Sequence, residues 1–143
     1  MKAAVFHEPH KPLSVEEIPT PTPSAGEVLI KVAGCGVCHT DLHYIDHGVP
    51  TMMFGNNVDG SYAEYMLAPA KDVIALPDEL PLVESAIIAD AVTTPYHAVV
   101  NRGQVKPGDN VVVVGCGGIG LNLVQVASAV GGRVIAIDVV DSK

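Results

Sequence analysis

The chain has 143 residues, 48% of them apolar, which suits one domain or two small ones built around hydrophobic cores. Sixteen acidic residues against eight lysines and arginines leave a net charge of −8 with no basic run anywhere, which argues against nucleic acid as a partner. No stretch reaches the roughly 18 apolar residues of a membrane span, and the N-terminus turns polar too early for a secretory signal, so neither membrane association nor export is expected.

In chain order, residues 2–6 and 27–33 have the β-branched, alternating character of strands. Ile18-Pro19-Thr20-Pro21-Thr22-Pro23-Ser24 between them is a stiff surface loop. Residues 38–46 predict a short helix closed by Gly48 and Pro50. On it His39, His43 and His47 fall at four-residue steps along one face, a stripe that suits either partly solvated surface or a metal. Residues 60–76 read as extended chain, with Tyr62, Tyr65 and Val73-Ile74-Ala75-Leu76 as strand-like pieces ended by Pro77. Residues 82–101 predict one or two helices broken near Pro95, and Pro107-Gly108-Asp109 is a turn into the next strand.

The most informative stretch follows. Val111-Val112-Val113-Val114 runs into Gly115-Cys116-Gly117-Gly118-Ile119-Gly120, a G-x-G-x-x-G turn after a strand that reads as buried on both faces. Gly115 permits the tight turn, Gly117 lets the backbone approach a pyrophosphate, and Gly120 lets helix and strand pack closely. Leu121, Leu123, Val124, Ala127 and Val130 then recur at helical spacing until Gly131 and Gly132. The free N–H groups at the start of that helix face the phosphates. Residues 133–137 form a second apolar strand ending at Asp138, eighteen residues after Gly120. That matches the spacing of an acid that accepts both adenosine ribose hydroxyls and repels a 2′-phosphate, so NAD is favoured over NADP.

Three cysteines, Cys35, Cys38 and Cys116, fit free thiols in a reducing cytoplasm. Gly36-Val37-Cys38-His39-Thr40-Asp41-Leu42-His43, taken with the glycine turn, resembles the medium-chain, zinc-dependent alcohol dehydrogenases. Ala25-Gly26-Glu27-Val28-Leu29-Ile30-Lys31-Val32, Gly60-Ser61-Tyr62-Ala63-Glu64-Tyr65 and Val105-Lys106-Pro107-Gly108-Asp109 are similar to that family too, in the correct order. The resemblance implies an α/β architecture: a GroES-like, β-rich part over residues 1–80, then from 81–143 the first βαβ unit of a Rossmann doubly wound parallel sheet.

The resemblance also implies site roles. Cys38 matches a catalytic zinc ligand, and Asp90 falls where most relatives carry a second zinc-binding cysteine; thiolate and carboxylate are both acceptable zinc donors. Thr40 and His43 match a proton relay from a zinc-bound alkoxide to solvent, a sensible pairing of hydroxyl and imidazole. His39 matches a residue at the cofactor pyrophosphate. Thr94 and Ile119 match residues that pack on the nicotinamide, and Lys143 matches one that holds the adenosine ribose. The substrate implied is a small alcohol or carbonyl, and the phrase around Asp90 is also similar to a branch that oxidises cyclic hydroxyacyl-CoA esters. The full-length family implies a homo-oligomer. Other readings stand beside these: Cys38 as a buried structural thiol, Cys35-Gly36-Val37-Cys38-His39 as a haem-attachment pattern, and Asp90 as a helix cap.

Two departures from the family pattern matter. No histidine occurs between His47 and His97, where the Gly-His-Glu segment would supply another zinc ligand, and the four-cysteine lobe of a structural zinc has no counterpart. Both gaps fall at Pro50-Thr51-Met52-Met53-Phe54. Only two parallel strands precede the last residue, where a dinucleotide fold uses about six. A shortened relative or fragment is therefore expected, with an incomplete zinc site. Three readings follow: an NAD-dependent alcohol dehydrogenase; a catalytically incompetent chain that at most binds a dinucleotide; a zinc-free reductase of the same superfamily, against which Cys38, Thr40 and His43 speak.

Overall fold

A computed structural model describes residues 1–47 and 58–142. The expected helix stops at Gly48 and Pro50, the gap at Pro50-Thr51-Met52-Met53-Phe54 and the role of Lys143 lie outside the described residues. The chain divides into two compact units, Met1–Ala86 and Ile87–Lys143.

The first unit is built from short antiparallel pairs. β1 (Lys2–Val5) pairs with β2 (Ser14–Glu17), Ala3 opposite Glu16. β3 (Glu27–Lys31) pairs with β4 (Tyr65–Pro69), Leu29 opposite Leu67. Residues 62–64 stitch the two pairs together: Ala4 N–H donates to the Tyr62 carbonyl at 2.8 Å, Glu64 N–H to Lys2 at 3.0 Å, and Val32 N–H to Glu64 at 2.9 Å. Among the described residues of this unit Ala3 and Ala68 are buried, small side chains where backbones approach closely.

β2 is a strand that the sequence did not announce. Ser14-Val15-Glu16-Glu17 is too polar to look like one, and its Val15 is 76% exposed. Pairing with β1 supplies what local propensity does not. The opposite correction applies to residues 73–76: they read as strand but lie outside any strand, after a 3₁₀ turn at Ala70–Asp72, and Ile74 is 90% exposed. A β-branched run without a partner strand has no ladder to join.

α1 (His39–His47) follows the Cys38 loop. Cys38 stands at its N-cap, and Asp41 at the third helical position reaches back, its carboxylate accepting the Cys38 N–H at 2.7 Å. This is the returning half of a capping box.

The second unit holds a βαβ motif. β5 (Asn110–Val114) and β6 (Arg133–Ile137) are parallel, Val112 opposite Ile135, and α3 (Gly118–Ala129) connects them. Parallel strands require such a crossover. α3 ends in a Schellman motif: Gly132 N–H donates to the Ala127 carbonyl and Gly131 N–H to Ser128, both at 2.9 Å, with Gly131 at φ 89°. Val99, Val113, Cys116, Ala127 and Pro95 form the buried centre.

Pro95 does not break the helical stretch, contrary to expectation. It lies fully buried inside α2 (Thr93–Tyr96), between π-helical turns at Ile88–Val92 and His97–Arg102. These wider turns on either side accommodate the ring and its missing donor, and Thr93 Oγ1 takes up the Ala89 carbonyl at 2.9 Å. The sheet of β5 and β6 has two strands, and apolar side chains meant for covered faces remain open: Val114 is 80% exposed and Ile135 56%.

Candidate functional site

The bend between β5 and α3 is closed on one side and open on the other. Gly115 turns the chain at φ 93°, in the left-handed region that glycine tolerates. A Cβ on Gly120 would stand 1.7 Å from the Gly115 carbonyl oxygen, so no side chain fits there and helix and strand are drawn together. Gly117 and Gly118 face outward, and a Cβ on either would meet nothing within 4 Å. Ile119 is 39% exposed at the same mouth. No side chain caps the start of α3, which leaves its first amides directed outward.

Asp138 sits beside this mouth. One carboxylate oxygen accepts the Cys116 N–H at 2.7 Å and the other the Val140 N–H at 3.0 Å. The fold thus brings Gly115, Gly117, Gly118, Ile119, Gly120 and Asp138 together around one small opening, with unobstructed space at Gly117 and Gly118, an uncapped helix start and a carboxylate at the rim.

Asp90 and Thr94 meet on the helical stretch of the second unit that packs against α3. Asp90 lies inside the π-helical turn, not at a cap, and its carboxylate accepts Thr94 Oγ1 at 3.0 Å. Both are exposed.

Cys38, His39, Thr40 and His43 gather at the start of α1 in the first unit, with Cys38 and Thr40 half-buried and both histidines exposed. The sequence reading overlooked Asp41 and Tyr62. Tyr62 Oη donates to the same Asp41 oxygen at 2.7 Å. Partial burial, the hydrogen bond to Asp41 and then the negative charge of Asp41, Cys35 and Cys38 push the Tyr62 phenol well above its ordinary range. Cys35 Sγ lies 2.8 Å from Ser61 Oγ. These groups line one side of a cavity of about 500 Å³ whose other walls include Ala4, Phe6, Leu13 and Ile18. The signal that could have singled out Asp41 is its position three residues after the N-cap.

Among the described residues no three of His, Cys, Asp or Glu come together as a metal site. Residues 48–57 contain none of these four types. A catalytic zinc takes three protein donors. Cys38 in the first unit and Asp90 in the second supply two of these three donors by residue type.

No protein-family model matches the chain. An alcohol dehydrogenase of Geobacillus stearothermophilus is 34% identical over 201 aligned positions, covering all of this chain and 59% of that protein. The aligned length exceeds the chain's 143 residues, so 58 positions of the relative face a gap. The crystal structure of AibC superposes with a TM-score of 0.90 at 29% identity, covering 100% of this chain and 57% of that one. Acetophenone reductase from Geotrichum candidum, solved in complex with NAD, gives a TM-score of 0.85 at 27% identity over 99% of this chain and 58% of its own.

The fold is therefore that of the medium-chain dehydrogenases, with a Rossmann-type α/β unit. The whole chain is similar to curated alcohol dehydrogenases and spans a little under three fifths of their length.

Proposed function

We propose that the chain serves an NAD-dependent oxidoreductase of the alcohol dehydrogenase type, in which hydride passes between a small alcohol or carbonyl compound and the nicotinamide. The observation that carries this reading is the glycine bend: closed at Gly120, open at Gly117 and Gly118, with the Asp138 carboxylate at its mouth. Bound there, the dinucleotide would supply the hydride acceptor. Gly117, Gly118 and the first amides of α3 would hold the pyrophosphate, and Asp138 would accept the ribose hydroxyls, a carboxylate that also disfavours a 2′-phosphate. Ile119 and Thr94 would pack on the nicotinamide, and His39 would reach the pyrophosphate. Thr40 and His43 would carry a proton from the reacting hydroxyl outward, in keeping with a half-buried hydroxyl followed by an exposed imidazole on α1.

Cys38 and Asp90 remain the proposed donors toward zinc. Two donors fall short of a catalytic zinc site, and no step is routed through the metal. A second reading is a chain that binds dinucleotide without turning over alcohol. A cyclic hydroxyacyl-CoA substrate, a cytoplasmic location and homo-oligomerisation of the full-length protein belong to the proposal as well.

Fluorescence titration with NADH tests the shared premise. Saturable binding that Gly117→Val abolishes supports it; equal binding by wild type and Gly117→Val overturns it. Steady-state oxidation of simple alcohols with NAD⁺ then separates the two readings.

A further inference from the structure

α1 presents three imidazoles in a ladder. His39 and His43 have ring centroids 6.1 Å apart at an interplanar angle of 56°. His43 and His47 repeat the 6.1 Å spacing with rings nearly parallel, at 21°. All three are exposed, so their ring nitrogens are open to solvent ions. Two histidines one helical turn apart on one face form a bidentate arrangement for a divalent ion. Metal–nitrogen bonds of about 2.0–2.1 Å hold two rings to one ion, and rotation about the side-chain torsions of exposed residues lets neighbouring rings turn toward it. Imidazole nitrogen suits Zn²⁺, Cu²⁺ and Ni²⁺ and discriminates against Mn²⁺.

We propose that the His39, His43 and His47 face of α1 binds one divalent transition ion of the nickel, copper and zinc class, held by two imidazoles at a time and completed by water. His43 belongs to both pairs, so the ladder takes a single ion that alternates between His39–His43 and His43–His47. Ion binding here is read without dinucleotide or alcohol present, so its outcome is separate from that of the NADH titration.

Ni²⁺ is the probe, because Cu²⁺ oxidises thiols and Cys35 is exposed. Calorimetric titration of the 143-residue chain with NiCl₂ is expected to give one ion per chain, with Ni²⁺ bound more tightly than Co²⁺ and Co²⁺ more tightly than Mn²⁺. His43→Ala removes both pairs and weakens binding by roughly tenfold or more, the chelate advantage being lost. His39→Ala and His47→Ala each leave one pair and cost on the order of twofold. His97→Ala, at an exposed histidine outside the ladder, leaves the affinity unchanged. Alanine favours the helix at these exposed positions, and circular dichroism checks that each variant is folded. Wild-type affinity in His43→Ala, or loss of binding in His97→Ala, overturns the proposal. Loss in His39→Ala as large as in His43→Ala overturns the shared pairing.

Discussion

The carboxylate of Asp138 accepts the backbone N–H of Cys116 at 2.7 Å, tying the end of β6 to the bend that follows β5. Two segments distant in sequence are thereby fixed around one small opening. The residue proposed to grip a ribose is also the residue that shapes the turn beside it.

Asp138→Ala is expected to cost about 1–3 kcal/mol of stability, because the amides of Cys116 and Val140 lose their acceptor and Cys116 is buried. Urea denaturation measures this. The same variant should bind NADH more weakly and lose its preference over NADPH. Asp138→Asn, which keeps an acceptor oxygen, should recover part of the stability.

Gly120 and Gly117 separate folding from binding. Gly120→Ala drives a Cβ into the Gly115 carbonyl and should lower the melting temperature, with a penalty of about 1–3 kcal/mol or more from forced backbone movement. Gly117→Val has open space around it and a backbone at φ −77°, which valine adopts without strain. It should melt like the wild type yet fail to bind dinucleotide. Thermal denaturation alongside NADH titration checks both outcomes.

Asp41 holds the start of α1 by accepting from Cys38 N–H and Tyr62 Oη together. Asp41→Ala should destabilise the first unit by about 0.5–2 kcal/mol, the usual range for a lost cap. Asp41→Asn should be milder, since its side-chain oxygen still accepts. Circular dichroism during denaturant unfolding reads the difference.

Tyr62 gives the molecule an alkaline limit. Its phenol pKa is raised in the folded state by burial first, then by Asp41, so the folded chain keeps a proton that the unfolded chain releases at its ordinary value near 10. The stability tied to this proton is complete below pH 10 and declines as pH rises beyond it. Tyr62→Phe should flatten that decline. Melting temperatures between pH 8 and 11 for the two proteins decide the matter.

Much of the second unit was legible in the sequence, because its signals are local. Four valines, three spaced glycines, a helical period and a Gly-Gly stop each act within a few residues, and a strand-turn-helix-strand follows from them. The first unit was less legible. Ser14-Val15-Glu16-Glu17 is a strand only because β1 lies beside it, and residues 73–76 are not a strand because no neighbour does.

What the sequence alone determined is the chemistry available: a glycine bend that closes at Gly120, an acid at Asp138, and a group of Cys38, Thr40 and His43. Only the tertiary structure decided how these groups are held. It turned Asp138 onto the Cys116 amide, gave Asp41 to both Cys38 and Tyr62, and carried Pro95 through a helical stretch. The physical reason is range: turn geometry and helical period are settled by neighbours along the chain, whereas a hydrogen-bond acceptor or a buried proline depends on which distant backbone arrives to meet it.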